Sequence, residues 1–141
     1  MHNSKQIKIG EVYLMYFSGR GSVQGGWRPG LVFQNNIGNA FSPNVVALPL
    51  TSCLKKTTQP THVIVQSSDT GLRMDSMVLC ENPECMPQSM IGEYITTLPE
   101  KYMREVSMAS ILASAAISYL DPDELVLLWV KAVGLNNRQV A

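Results

Sequence analysis

Histidine and cysteine are both scarce in this chain, and their scarcity argues against several kinds of site. The 141 residues include two histidines, His2 and His62, and three cysteines. So few imidazoles give little support to a mechanism built on paired histidines, and we interpret His62, which lies in an apolar strand pattern, as a structural residue. An odd number of cysteines without CxxC spacing disfavours a disulfide framework or a closed zinc site. We therefore expect reduced thiols, no metal and no cofactor.

Charge is low and balanced, which argues against a large non-specific nucleic-acid surface. The chain carries 11 lysine and arginine residues against 11 aspartate and glutamate residues, for a formal net charge of +0. A small, localised basic site is compatible with that balance. The start of the chain lacks the pattern of a signal peptide, and the most apolar stretch, DELVLLWVKAVGL, is charged and too short to span a bilayer. We therefore expect a cytoplasmic protein without membrane contact.

The pattern of apolar residues changes along the chain and predicts a single domain that is mainly β (α+β). Up to about Ile95, short strand-like runs are separated by Gly, Pro and Asn, with no long helical pattern between them. Such short connections favour an antiparallel barrel or sandwich over a parallel sheet, and the barrel is expected over about residues 8–96. The predicted strands are GEVYLMYF, the run from Gly30 to Gln34, NVVALPLTS, THVIVQ, DSMVLCEN and MIGEYIT.

Two helices are predicted after the strands. Thr97 and Glu100 have the spacing of a capping box, and the apolar residues that follow recur at helical intervals, which predicts a helix from about Leu98 to Tyr119. The segment DPDE is typical of a helix start, with an Asp cap and Pro in the first turn. It predicts an additional helix from Pro122 to Val133, with Gly134 as the stop signal.

One arginine stands in a Gly- and Pro-rich segment, SVQGGWRPGLVF, that leads into a strand. Gly25 and Gly26 let the backbone bend tightly or approach a ligand closely. Pro29 biases Arg28 toward extended geometry, so its guanidinium loses little freedom on binding. The planar fork of the guanidinium suits a phosphate. The alternative interpretation is a turn that carries a solvated arginine.

Two hydroxyl side chains, Thr51 and Ser52, lie at the end of the predicted third strand, NVVALPLTS. Hydroxyl donors beside a guanidinium can form a site for an oxyanion, because both groups donate hydrogen bonds to negatively charged oxygen. Together with Arg28, they are the residues that the sequence itself offers for phosphate chemistry. The zinc-protease motif, the nucleophile elbow and the P-loop are absent.

Several segments, taken in their order, resemble the MazF/PemK family of toxin ribonucleases. They cover about Ile9 to Ala113, and the most specific are the Q-G-G-x-R-P loop, the Q-N-x-x-G-N-x-x-S-P turn, the strand end P-L-T-S and the strand P-T-H-V. The resemblance implies a small SH3-like barrel with a C-terminal helix, acting as a homodimer. It also implies metal-independent cleavage of single-stranded RNA at short sequences, and neutralisation by a cognate antitoxin of the MazE/PemI type.

The resemblance implies roles for individual residues as well. The family's catalytic arginine falls on Arg28 and its catalytic threonine on Thr51. Glu81 matches an acidic position that some members use at the RNA site, and it is our candidate for the general base. RNA bases are expected to stack on exposed aromatic rings and to be read by amides. The residues expected to bind RNA are Gln24, Ser52, Asn82, Trp27, Phe17, Asn35, Asn36 and Lys55.

This chain also departs from the family pattern at particular places. The segment PECMP, from Pro83 to Pro87, stands where many relatives have an Arg-Thr-Ile-Asp-like segment, and the second predicted helix lies beyond the family's usual end. The expected reaction is attack of a 2′-hydroxyl on the adjacent phosphate, which gives a 2′,3′-cyclic phosphate and a 5′-hydroxyl. The alternative is a binding protein on the same barrel, either a gyrase-targeting relative or a catalytically silent member. The presence of both Arg28 and Thr51 favours the nuclease.

Overall fold

Seven strands and four helices make up the part of the chain that the computed structural model describes, which is residues 6–19, 25–54 and 59–140. Side chains are described as far as residue 135. The strands are β1 (Glu11–Ser18), β2 (Gly25–Val32), β3 (Asn44–Thr51), β4 (His62–Val65), β5 (Ser76–Leu79), β6 (Glu84–Pro87) and β7 (Ile91–Thr97). The helices are α1 (Asn36–Phe41), α2 (Ser67–Thr70), α3 (Glu100–Ala113) and α4 (Pro122–Val140), and 3₁₀ turns lie at Gln88–Met90 and Ala115–Tyr119.

The strands form one antiparallel sheet with the order β4-β5-β3-β2-β1-β7, and β6 pairs with the start of β3. β3 changes partners along its length: it pairs with β6 over Asn44–Ala47, with β2 over Ala47–Pro49, and with β5 at Leu50 and Thr51. A strand that passes from one set of partners to another makes a sheet curl on itself. The predicted mainly β, antiparallel fold with helices at its C-terminal end is confirmed.

Apolar residues on the two faces of β1 belong to two separate cores. Side chains alternate along a strand, so Val12 joins one core while Tyr13, Met15 and Phe17 join the other. The first core lies where α3 packs on the sheet, because Val106 of α3 is fully buried in it. Other buried members of this first core include Leu31, Leu48, Leu50, Val65, Leu72 and Val78.

Gly30 in β2 lies so close to the second core that it leaves no room for a side chain. A Cβ at this position would be 2.7 Å from Met15 Sδ and 2.8 Å from Phe17 Cζ. We expect Gly30→Ala to lower the free energy of unfolding by about 1–3 kcal/mol, because extra volume in a packed core forces its neighbours to shift. Urea unfolding measures this. Gly134→Ala is the control, since nothing lies within 4 Å of that added Cβ; an equal loss of stability in both variants would contradict the packing argument.

α3 begins later than predicted and is held by a different set of contacts. Pro99 is its N-cap, without a side-chain hydrogen bond, so the predicted capping box of Thr97 and Glu100 is wrong. Thr97 is instead the last residue of β7, two residues before Pro99. The start of α3 is fixed by Asp69 in α2, whose Oδ2 accepts hydrogen bonds from Tyr102 Oη at 2.6 Å and Lys101 Nζ at 2.9 Å. Hydrogen bonds from Tyr102 and then Lys101 hold the pKa of Asp69 below its usual value.

The region predicted as one long helix is divided. α3 ends at Ala113 because Ser114 is extended, and a 3₁₀ turn follows in place of the last part of the predicted helix. The second predicted start is confirmed: Glu124 N donates to Asp121 Oδ1 at 2.9 Å, and Asp121 N donates to Glu124 Oε1 at 3.1 Å. The predicted end at Val133 is wrong, since α4 runs through Gly134 to Val140.

Candidate active site

Arg28 is part of β2, which begins at Gly25 and therefore earlier than the predicted start at Gly30. In the register with β1, Arg28 pairs with Met15 and Trp27 pairs with Tyr16. Gly26 has a φ of 85°, a left-handed conformation that side chains rarely adopt. Gly26, two residues before Arg28, thus permits a sharp bend, and Arg28 itself lies in the hydrogen-bonded sheet.

The Arg28 guanidinium is held by two backbone carbonyl groups. Its Nε and Nη2 donate to the carbonyl oxygen of Gly25 at 3.4 and 3.2 Å, and Nη1 donates to the carbonyl oxygen of Leu50 at 3.4 Å. Each terminal nitrogen carries two N–H groups, so Nη1 and Nη2 both keep a second donor. The side chain is half-buried. The fork is therefore oriented in advance and still has donors available for an anion.

Thr51 follows Leu50 directly, at the end of β3. Its Oγ1 accepts a hydrogen bond from the Cys53 backbone N–H at 3.1 Å, which orients the hydroxyl and leaves its own proton available as a donor. The contact between Arg28 and the Leu50 carbonyl brings the guanidinium next to this strand end. Arg28 and Thr51 also line one groove of the protein surface, which therefore carries a charged donor and a neutral donor.

The groove has a volume of about 720 Å³ and crosses the sheet from β5 to β7. Of the predicted site residues, it brings together Arg28, Thr51, Ser52 and Trp27. The Trp27 side chain is 57% exposed, and its ring lies 5.6 Å from that of Tyr16 in an edge-on arrangement. Sequence reasoning missed other lining residues, namely Arg73, Met74, Glu93 and Tyr94.

The stacking role expected for Phe17 is wrong. Phe17 is 1% exposed and lies in the second core beside Met15. The neighbouring position on β1, Tyr16, is 44% exposed. Adjacent side chains in a strand point to opposite faces, so Phe17 lies in the core while Tyr16 faces solvent. Because both residues are aromatic, their chemistry alone does not show which of the two is exposed.

The amides expected to read bases mostly have structural partners. Asn35 is the N-cap of α1, where its Oδ1 accepts from Gly38 N at 2.9 Å. Asn36 Oδ1 accepts from Ile9 N at 2.9 Å, which ties α1 to the start of β1. Asn82 is half-buried in the β5–β6 connection and is not among the residues that line the groove. The structure therefore does not bring these three side chains to Arg28.

Glu81, the predicted general base, also lies outside the groove. Its Oε2 is 2.7 Å from Nε2 of His62, in a pair whose side chains are 30% and 10% exposed. His62, which we interpreted as a structural residue, is therefore held in place by its contact with Glu81. Glu81 lines a separate cavity of about 210 Å³ near the end of α3, next to Cys80. Burial raises the pKa of the Cys80 thiol to about 11, which keeps it protonated at neutral pH.

Two predicted RNA-binding residues, Gln24 and Lys55, lie outside the described residues. Within the described ranges, no three His, Cys, Asp or Glu side chains are grouped as metal ligands would be. No helix in the described part of the chain combines the length and the apolar character needed to cross a membrane.

Fold and groove together define a class: small proteins with a curled, barrel-like antiparallel sheet and a groove that is lined by an oriented guanidinium and a hydroxyl. Comparison with known proteins supplies the family. The sequence matches the PemK-like, MazF-like toxins of type II toxin–antitoxin systems over residues 8–112, and the chain belongs to this family. The match ends in α3, so the 3₁₀ turn at Ala115–Tyr119 and α4 lie beyond it.

Two curated relatives carry the name of an enzyme. Endoribonuclease MazF of Staphylococcus saprophyticus is 39% identical over 104 residues, which is 73% of this chain and 87% of the relative. Endoribonuclease EndoA of Bacillus subtilis is 36% identical over 114 residues, covering 80% of this chain and 98% of the relative. The predicted family and the predicted enzyme class, an endoribonuclease, are therefore confirmed.

Solved structures agree with this barrel-like fold. An endoribonuclease in complex with its cognate antitoxin from a Mycobacterial species matches with a TM-score of 0.62 and 27% identity, covering 76% of this chain and 93% of that one. MazF from Deinococcus radiodurans matches with a TM-score of 0.67 and 22% identity, covering 83% of this chain and all of that one. The SH3-like, MazF-type fold is therefore confirmed.

Proposed function

We propose that this chain is a sequence-specific endoribonuclease toxin that cleaves single-stranded RNA without a metal ion. The observation that carries the proposal is the shared groove of Arg28 and Thr51, in which the guanidinium is fixed by the carbonyls of Gly25 and Leu50. Both side chains keep free N–H or O–H donors, which suit the oxygens of a phosphodiester. The curated relatives, both endoribonucleases, support this assignment.

The proposed reaction uses the nucleophile that RNA itself provides. The 2′-oxygen attacks the adjacent phosphorus, the bond from phosphorus to the 5′-oxygen breaks, the 2′-hydroxyl loses its proton and the departing 5′-oxygen gains one. Arg28 stabilises the extra negative charge on the non-bridging oxygens, and Thr51 donates a hydrogen bond to one of them. Glu81 receives no step in this scheme, because it is paired with His62 outside the groove.

In this proposal, exposed aromatic rings of the groove hold the bases of the single strand. Trp27 is 57% and Tyr94 is 54% exposed, and both line it. Stacking of a base on an aromatic side chain is worth about 1–3 kcal/mol and accepts any base, because every base has a π-face. Ser52 adds a polar group beside the scissile phosphate.

A homodimer that is neutralised by a cognate antitoxin in the cytoplasm completes the proposal. The antitoxin-bound Mycobacterial structure supports a partner of this kind. The outer face of α3 carries exposed apolar side chains: Met108, Ile111 and Leu112 are 60%, 50% and 61% exposed. An exposed apolar patch of this kind supports an interface with another protein chain. Light scattering of the purified chain tests the dimer, whose mass is twice the 15.5 kDa of one chain; a monomer at all concentrations would contradict it.

Incubation of the purified protein with a long single-stranded RNA in excess EDTA tests the function. We expect discrete cuts, with 2′,3′-cyclic phosphate and 5′-hydroxyl ends, because the groove's own donors meet the charge requirement. DNA of the same sequence is the matched control and should remain intact. Cleavage that requires added Mg²⁺, or products with 5′-phosphate ends, would contradict the proposed chemistry. Intact RNA together with trapped gyrase–DNA complexes would instead support the gyrase-targeting alternative.

A further inference from the structure

Arg73 is a second guanidinium on the groove that the proposed chemistry does not use. It lies between α2 and β5 and lines the same groove as Arg28 and Thr51. Its side chain is exposed and makes no hydrogen bond or ion pair with the residues that the structure describes. The exposed Arg104 on α3, by contrast, is paired with Glu100 at 2.9 Å. No group in the described part of the chain occupies the guanidinium donors of Arg73, which face the groove and are available to a ligand there.

The backbone that carries Arg73 is fixed on both sides. Before it, Gly71 caps α2 with a φ of 80°, and Leu72 is buried in the first core. After it, Asp75 Oδ1 accepts hydrogen bonds from the backbone N–H and the hydroxyl of Ser67, at 2.8 and 3.0 Å. A guanidinium on an anchored backbone loses less freedom when it binds than one on a mobile loop.

The groove extends beyond what a single phosphate occupies. Its volume of about 720 Å³ is in the upper part of the range of about 300–1,000 Å³ typical of ligand sites. Thr51 pairs with Met77 of β5, and the Arg73 segment leads directly into that strand. Arg73 thus lies along the same groove as Arg28 and Thr51, where an RNA strand with its scissile phosphate at those two residues can reach it.

We propose that Arg73 binds a second phosphodiester of the RNA, next to the one that is cleaved. This inference rests on the proposed function and extends it: Arg28 acts on the reacting phosphate, whereas Arg73 holds the strand in register through a neighbouring phosphate. A phosphate contact is independent of base sequence and releases counterions, so its loss weakens binding to all sequences alike and makes affinity less dependent on salt.

Arg73→Gln tests the proposal, with Arg73→Lys as the conservative variant and Arg104→Gln as the matched control outside the groove. Affinity is measured over a salt series with an RNA that has a single 2′-deoxy nucleotide at the cleavage site, and cleavage kinetics with the all-ribose RNA. We expect Arg73→Gln to weaken binding on the order of 10-fold. The slope of log affinity against log salt should become shallower by about 0.7. The loss should concentrate in KM rather than in kcat.

Arg73→Lys should restore the salt slope, since a lysine also binds phosphate, and Arg104→Gln should match the wild type. Unchanged affinity and salt slope in Arg73→Gln would overturn the inference. So would an altered sequence preference with an unchanged slope, which would assign Arg73 to a base edge. A wild-type protein that neither binds nor cleaves RNA would refute the proposed function itself, so the two failures are distinguishable.

Discussion

Replacing Arg28 by alanine is expected to lower kcat for RNA cleavage about 100- to 1,000-fold, equivalent to roughly 3–4 kcal/mol of lost transition-state stabilisation. The reason is geometric as well as electrostatic. The guanidinium is aligned by the Gly25 and Leu50 carbonyls before substrate arrives, so no reorganisation is needed when charge develops on the phosphate. Single-turnover cleavage at saturating RNA measures the effect.

Two further variants make this experiment specific. Arg28→Lys keeps the charge and loses the planar fork, so an intermediate rate is expected. Arg104→Ala removes an arginine that is paired with Glu100 on the surface of α3, and its cleavage rate should equal that of the wild type. Urea unfolding of each variant separates loss of chemistry from loss of fold. If Arg28→Ala is folded and cleaves RNA at the wild-type rate, the catalytic assignment is wrong.

A single 2′-deoxy nucleotide on the 5′ side of the cut is expected to abolish cleavage at that bond. The change removes the proposed nucleophile and leaves the phosphate, the bases and the rest of the strand as they were. Binding should therefore persist while cleavage stops. Denaturing gel analysis of an end-labelled oligonucleotide measures the cut.

The matched control carries its deoxy nucleotide on the 3′ side of the same bond. That oligonucleotide keeps the attacking hydroxyl and should be cleaved. Continued cutting of the first oligonucleotide at the same bond would exclude attack by the 2′-hydroxyl and would require an external nucleophile such as water.

The residues at the centre of the site could be predicted because local sequence determines their setting. Gly25 and Gly26 permit a tight bend before Arg28, Pro29 restricts the backbone of Arg28, and Thr51 ends a strongly apolar strand. β2 and β3 are neighbours in an antiparallel sheet, so these two positions come close together through sheet pairing alone.

The rest of the groove depends on tertiary structure and gave no local signal. Glu93 and Tyr94 line the groove because β7 pairs with β1 at one edge of the sheet. Arg73 lines it because the segment between α2 and β5 lies beside the groove. The choice between Phe17 and Tyr16 depends on which face of β1 is buried, and both faces of that strand carry apolar residues.

For α4, the start of the helix could be predicted from the sequence and its end could not. The Asp121 and Glu124 capping box was predictable because it uses only residues three apart, and both of its hydrogen bonds are present. The end of α4 could not be predicted from Gly134. A glycine that ends a helix does so by taking a left-handed conformation, whereas Gly134 keeps the helical conformation and α4 continues past it. The exposed apolar residues of α4, including Leu127 and Trp129 at 55% and 68%, lie beyond the family match.

The most direct measurement is a crystal structure of the protein bound to the oligonucleotide whose cleavage-site nucleotide is 2′-deoxy. The expected result is a phosphodiester within hydrogen-bond distance of both the Arg28 guanidinium and the Thr51 hydroxyl, with the 2′ carbon of the preceding sugar facing that phosphorus. A phosphate bound elsewhere, with Arg28 directed into solvent in every protomer, would contradict the assignment of this groove as the active site.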